Sequence, residues 1–330
     1  MKNRKPQPFK ILGMLLALSI LLTFPTAALS ADTYPNKTVR LIVPFAPGGA
    51  NEIASRLIAT ELSERLGKQV IVDNRPGGGT IIGTEMVANA VPDGYTLLFT
   101  NAFTATPAIH KKLPYDPMQS FIPIAKVGST PYIIVVHSSV PANSLKDLIA
   151  LAKQKPGQLI FGGGGTGSNQ HLAIELFKIM SDIDFKIVQF KGGGPQFIDL
   201  LGGHSHVGFQ SMGTALPQVK SGKIRILATC GRKRSVILPD VPTVAEAGVP
   251  GYEATTWWGI YAPTGTPALI VDRLNKELKA ILSSDEVKKR FLTFEADADY
   301  IAPPEFGTFL KEDMAKWARV VKLANIKLEE

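Results

Sequence analysis

The feature that most narrows what this chain can fold into is a corner, Val43-Pro44-Phe45-Ala46-Pro47-Gly48-Gly49-Ala50-Asn51-Glu52, where an apolar strand enters a Pro-Gly-Gly turn that opens directly into an amphipathic helix. Two adjacent glycines admit positive φ and leave no Cβ to obstruct close approach. The first N–H groups of the helix have no partner within it and stand at its positive dipole end. Such a corner accepts an anion, and phosphate and carboxylate fit equally well. A second glycine-rich strand-to-helix turn runs from Gly162 to Gly167, and the two are expected to grip one small anionic ligand from opposite sides.

The 330 residues, 45% of them hydrophobic, suffice for two ordinary globular domains. The fold is expected to begin only after a signal peptide at residues 1–30. Lys2, Arg4, Lys5 and Lys10 precede a nearly unbroken apolar run from Ile11 to Phe24, and small residues at Ala28 and Ser30 suit cleavage before Ala31. A membrane anchor is the competing reading, but the run is short for a span and no cysteine follows it for lipid attachment. Cleavage removes four positive charges and no acids, so the net charge falls from +8 to +4. That is too little for a nucleic-acid surface, and the basic residues that remain cluster only in short runs such as Arg232-Lys233-Arg234. Cys230 is the sole cysteine, so no intramolecular disulfide can form, and its apolar neighbours from Ile224 onward favour packing over reactivity.

Along the chain, strands at Val39 to Phe45, Gln69 to Asp73 and Tyr95 to Thr100 alternate with helices at Asn51 to Leu66 and Ile82 to Ala90. Ile53, Leu57, Ile58, Leu62 and Leu66 form an apolar stripe at helical spacing, and the pattern makes a parallel βαβαβ unit. A proline-containing stretch from Pro107 to Pro123 leads to a strand at Tyr132 to Val136, which carries the chain out of this unit. Ser144 and Asp147 can form a capping box for a helix over Leu145 to Gln154. Strands at Leu159 to Phe161, Lys186 to Phe190, His206 to Gln210 and Ile224 to Thr229, with helices at Asn169 to Met180 and Gln196 to Leu201, form a second open sheet. Ala254 to Tyr261 reads as an extended return segment, and helices at Pro267 to Leu282, Asp285 to Leu292 and Pro304 to Ala324 close the chain on the first unit. The expected lobes are therefore 31–133 with 256–330, and 134–255. They are joined by two strand-like links, with both sets of strand ends facing a central cleft that can close by hinging.

The second turn contains a formal G-x-G-x-x-G at Gly162, Gly164 and Gly167. A dinucleotide fold places its ribose-binding acid at the far end of the next strand, whereas Asp182 and Asp184 precede that strand and Lys191-Gly192-Gly193-Gly194 stands at its end. Glycines serving only tight packing are the plainer alternative. The histidines at 110, 137, 171, 204 and 206 show no metal-ligand spacing with an acid, and His204 with His206 reads better as a solvated loop pair than as a metal site. No G-x-S-x-G elbow occurs. Neither a cofactor nor a metal is expected. Trp257 and Trp258 alternate on an extended segment, so one can face the core and the other the cleft, with plain hinge packing of both as the equal alternative.

Six segments in order, Pro44 to Gly49, Asp73 to Gly77, Pro92 to Leu98, Phe190 to Pro195, Leu200 to Gly203 and Pro239 to Gly248, resemble the Bug family, the TctC-like extracytoplasmic solute receptors of tripartite tricarboxylate transporters. The resemblance covers essentially the whole mature chain. It implies a type II periplasmic binding protein of the α/β class, with two lobes each holding a mixed sheet flanked by helices. Such a protein grips carboxylates between one strand-turn-helix loop per lobe, largely through backbone N–H groups and bridging waters. Carried over, the first loop is Pro47, Gly48, Gly49, Ala50 and Asn51, and the second is Gly163, Gly164, Thr166, Gly167 and Ser168. Phe45, Glu52 and Asn101 complete the expected binding set, with Phe103, Gln210 and Trp258 as cleft wall.

This chain departs from the family pattern where Glu52 replaces aspartate, where Gly163 and Gly164 stand without a serine, and where Gln210 replaces an acid. Loss of that negative charge argues against a ligand's ammonium group and for a plain mono- or dicarboxylate. The expected function is a monomeric periplasmic binding protein, not an enzyme, that delivers a small organic carboxylate to the membrane subunits of a tripartite tricarboxylate transporter. The alternatives are a secreted α/β enzyme acting on a phosphorylated or nucleotide substrate, and a ligand sensor for a membrane signalling partner.

Overall fold

Apolar runs alternating with helix-periodic segments fold into two sheets built on one plan. The computed structural model describes residues 34–235, 237–294, 296–324 and 326, and from Pro35 onward these form one compact unit. The expected signal peptide lies outside the described residues.

The first sheet contains β1 (Val39–Val43), β2 (Val70–Asn74), β3 (Thr96–Thr100), β4 (Phe121–Pro131) and β10 (Thr255–Pro263) in the order β2-β1-β3-β10-β4. Strand β1 runs parallel to β2 and β3, while β10 is antiparallel to β3 and β4. The second sheet contains β5 (Ile133–His137), β6 (Ile160–Gly163), β7 (Lys186–Gln189), β8 (Val207–Gln210) and β9 (Ile224–Thr229) in the order β7-β6-β8-β5-β9. Here β6 is parallel to β7 and β8, and β5 is antiparallel to β8 and β9. Each sheet thus has three parallel strands on one side and two antiparallel joins on the other, so the two-lobed α/β fold is that of a periplasmic binding protein.

Helices α1 (Ala50–Leu66), α2 (Ile81–Ala88) and α3 (Thr106–Ile109) belong to the first lobe. Helices α4 (Leu145–Gln154), α5 (Asn169–Ser181), α6 (Gly193–Leu201) and α7 (Met212–Lys220) belong to the second. The chain ends with α8 (Ala268–Ser283), α9 (Asp285–Leu292) and α10 (Pro303–Leu323). The stripe on α1 is buried at Leu57, Ile58, Leu62 and Leu66, and Gly67 ends the helix at φ +66°. The capping box on α4 forms in full: the Asp147 N–H donates to Ser144 Oγ at 3.1 Å, and the Asp147 carboxylate accepts the Ser144 N–H at 2.9 Å. Each lobe has its own core. Phe103, Phe121, Trp257, Tyr261 and Phe306 fill the first, and Phe161, Phe177, Phe185 and Phe209 the second.

The chain changes sheet at Tyr132, between β4 and β5, and returns between β9 and β10. These links are bonded side by side: the Cys230 N–H donates to the Tyr132 carbonyl at 2.7 Å, and the Tyr132 N–H to the Ala254 carbonyl at 3.2 Å. Of the expected return segment Ala254 to Tyr261, only Ala254 lies in a link, because β10 lies wholly in the first sheet. Strand β4 was not expected, since Pro123 and Pro131 argue against a central strand; it is an edge strand, where a missing N–H is tolerated. Helix α7, likewise unexpected, carries Pro217. The C-terminal helices pack against elements of the first lobe, and α10 also crosses the gap. Its Trp317, Val320 and Val321 pack with Ala105 and Ile109 of the first lobe and with Leu172 of α5 in the second.

Candidate functional site

More than the two expected glycine turns meet where the lobes face each other, and three of them bear on one cavity. The first, after β1, is braced from within by Glu52, whose carboxylate accepts the Gly48 N–H at 2.6 Å and pairs with the Arg56 guanidinium at 2.6 Å. Partial burial pushes the Glu52 carboxyl up, but the Gly48 N–H and Arg56 outweigh it, and the net shift is below the usual carboxylate range. Glu52 therefore shapes the turn and does not face the cavity. Gly48 sits at φ +91°, which favours glycine there.

The second turn, after β6, is fixed by Ser168. Its Oγ caps α5 by accepting the His171 N–H at 3.1 Å, while the Gly165 N–H donates to Gln189 Oε1 at 3.1 Å. The formal dinucleotide motif does other work here: Gly162, Gly163 and Gly164 leave room for the side chains of Gln196, Gln189 and Gln170, each of which a Cβ would strike. Asp184 is engaged by Lys178 at 2.8 Å, away from the turn.

The third turn, Lys191 to Gly194 after β7, locks onto the first. The Ala46 N–H donates to the Lys191 carbonyl at 3.0 Å. A Cβ on Gly49 would come 3.4 Å from the Gly194 nitrogen, and one on Gly194 would run into the Pro47 carbonyl oxygen. A further bond between lobes joins Asn169 Nδ2 to the Asn101 carbonyl at 2.9 Å.

Beneath these contacts lies a cavity of about 50 Å³. Of the residues expected from sequence, Phe45, Gly49, Ala50, Asn51 and Asn101 line it from the first lobe, and Gly164, Ser168 and Gln210 from the second. Pro47 and Gly48 stand behind it in the first turn. Gly163 belongs to β6, Gly167 bonds its N–H to His171 Nδ1 at 3.3 Å, and Thr166 lines a separate interlobe cavity.

Two expected wall residues lie elsewhere. Phe103 stacks on Tyr261, ring centroids 4.4 Å apart, in the first core, and Trp258 is fully buried against Phe291. Trp257 also faces away from this cavity, donating from Nε1 to Asp313 at 3.1 Å. Both tryptophans thus serve the interior of the first lobe.

Several lining residues escaped the sequence reading. Tyr132, from the link between β4 and β5, and Thr256, at the start of β10, hydrogen-bond to each other, and Asn101 Nδ2 bonds to Thr256 Oγ1. Ser211 and Thr214 come from the start of α7, and Gln170 and Gly193 from the first turns of α5 and α6. A serine just after β8, in Ser211-Met212-Gly213-Thr214, was a readable helix-start signal. Among the described residues no acidic, basic or histidine residue lines the cavity. Gln210 Nε2 bonds to Gln196 Oε1 and Gln170 Nε2 to the Phe209 carbonyl, so this wall is neutral and rich in amides. Among the described residues Asn51 Oδ1 and Asn101 Oδ1 are buried without a partner. By rotating, either amide can present N–H or C=O to a ligand. An uncharged chamber whose asparagine amides can turn their N–H groups inward, beside the first N–H groups of α1, suits a small anion stabilised by dipoles.

Known proteins resemble this chain over most of its length. The model of the tripartite tricarboxylate transporter family receptor matches residues 54–326. BugT of Bordetella pertussis is 35% identical over 306 residues, covering 92% of this chain and 94% of that protein. A Rhodopseudomonas palustris protein solved with adipate is 36% identical with a TM-score of 0.86, covering 89% of this chain and 99% of its own. MatC from Rhodopseudomonas palustris, solved with bound malate, is 30% identical with a TM-score of 0.82, over 87% of this chain and 100% of that one.

Proposed function

Because the chain belongs to the tripartite tricarboxylate transporter receptor family, a family of solute-binding receptors and not of enzymes, we propose that it captures a small organic carboxylate in the cavity between its lobes and delivers it to the membrane subunits of such a transporter. The observation that carries this reading is the convergence of the first and second glycine turns, one from each lobe, on a single uncharged cavity lined by amides. A carboxylate there receives main-chain and side-chain N–H groups and meets no acid. The adipate and malate of the two relatives belong to the same chemical class.

Work in the periplasm, after removal of the signal peptide, fits this role. Among the described residues no helix is long and apolar enough to cross a membrane. Gly49, Ala50, Asn51 and Asn101 would meet the ligand from one side, and Gly164, Ser168 and Gln210 from the other. Thermal unfolding in the presence of a panel of organic acids tests the reading. An acid at a hundred times its dissociation constant stabilises the folded protein by about 2.7 kcal/mol. A panel without any stabilising acid would leave the reading without support.

A further inference from the structure

Helix α10 belongs to the first lobe by its anchor and to both lobes by its packing. Phe306 and Leu310, in its first half, lie in the first core. Midway, Asp313 Oδ2 accepts bonds from Thr104 Oγ1 at 2.6 Å, from Trp257 Nε1 at 3.1 Å and from Trp317 Nε1 at 3.0 Å. That carboxylate ties the helix to β10 and to the segment after β3. Past the anchor, Trp317, Val320 and Val321 are buried with Ala105 and Ile109 of the first lobe and with Leu172 of the second.

The part of α5 that α10 meets is the turn that also builds the cavity. Successive helical residues point about 100° apart, so one turn can face several neighbours at once. Ser168 and Gln170 line the cavity, and Asn169 Nδ2 donates to the Asn101 carbonyl of the first lobe at 2.9 Å. Leu172 packs with α10, and the Ala173 carbonyl accepts the Tyr252 O–H at 2.8 Å, close to the return link.

Opening by rotation about the links would carry α5 with the second lobe, while Asp313 keeps α10 with the first. Leu172 and the ridge of Trp317, Val320 and Val321 would then part and meet water, at a cost that grows with the apolar area exposed. The bonds from Ala46 to Lys191 and from Asn169 to Asn101 are polar, and water replaces such bonds at small net cost.

Resting on the reading that the ligand sits between the lobes, we propose that the C-terminal half of α10 is an apolar latch that biases the lobes toward closure. Trp317, Val320, Val321 and Leu172 are then positioning residues for a cavity that, among the described residues, none of them lines. Such a bias multiplies the affinity of every ligand of the closed form by one factor, whatever its chemistry.

The double variant Val320→Ala, Val321→Ala trims the latch with a residue that suits a helix. Leu148→Ala, in the second core on α4, is the control for lost stability alone. Spin labels at the exposed positions Lys68→Cys in the first lobe and Lys153→Cys in the second report the interlobe distance, and Cys230 is buried away from the label. Without ligand, the double variant should broaden the distance distribution and shift it toward open forms, and Leu148→Ala should not. Every carboxylate that binds wild type should bind the double variant about threefold to tenfold more weakly, by a common factor, and Leu148→Ala within about twofold of wild type. An unchanged distance distribution, an unchanged affinity, or a loss that Leu148→Ala reproduces would overturn the latch, and the carboxylate reading stands as long as wild type binds an acid. A shifted distribution in a protein whose wild type binds no acid would keep the latch and remove the carboxylate reading.

Discussion

The Ala46 N–H reaches across the gap between the lobes to the Lys191 carbonyl, 3.0 Å away. Main chain therefore meets main chain at the cleft, and the first glycine turn has two duties: it faces the cavity with Gly49 and carries the third turn on its back. Closure and ligand capture are built from the same residues.

Gly194 lies at the start of α6, where alanine is locally acceptable, but its methyl would collide with the Pro47 carbonyl. Gly194→Ala should hold the lobes apart. Small-angle scattering in the presence of saturating acid should show a larger radius of gyration than wild type. Binding should weaken by about 1–3 kcal/mol, the usual cost of overpacking.

Glu52 contributes stability through its depressed carboxyl pKa. The sign follows from linkage. A group whose folded pKa lies below its unfolded value stabilises above the unfolded pKa, about 4.3 for Glu, and loses that contribution as pH falls through the folded pKa. Urea unfolding of wild type and Glu52→Gln should therefore differ at pH 7 and converge toward pH 3. A difference that persists undiminished in acid would assign the effect to packing.

Gln210 stands where relatives of this kind are expected to carry an acid, and here it bonds to Gln196 within a neutral wall. Gln210→Glu places a negative charge beside the bound carboxylate. Affinity for plain acids should fall by more than about tenfold, because like charges repel strongly at low dielectric. Affinity for ligands bearing an ammonium group should rise, and competition binding with an acid and its amino-acid counterpart measures both.

Ser144→Ala removes one half of the α4 capping box. It should cost about 1 kcal/mol in chemical denaturation without altering ligand affinity, because α4 does not line the cavity.

Glycine corners are legible in a sequence because only glycine satisfies both the turn and the close approach, so the first two turns and most of their cavity-facing residues could be read directly. The run Lys191 to Gly194 was equally visible, but its partner was not: a bond between two main chains leaves no side-chain signature. Periodicity gives the direction of a residue and not which of two buried spaces it enters, and so Phe103 and Trp258 were expected at the cleft when they fill the first lobe. Tyr132 and Thr256 reach the site only because the two links run side by side, a tertiary fact that no local pattern carries. Prolines hid β4 and α7, since a proline is excluded from central strands and helix interiors but tolerated at a sheet edge or in a short, half-buried helix.

The most direct test of the central claim is calorimetric titration of small carboxylates into wild-type protein and into Gly49→Val, whose side chain would project between the cavity and the third turn. The account predicts one site per chain for at least one acid in the wild type, and no measurable binding in a Gly49→Val protein that still unfolds cooperatively. Undiminished binding of that acid by Gly49→Val would contradict it, because the ligand would then be held somewhere other than between the glycine turns.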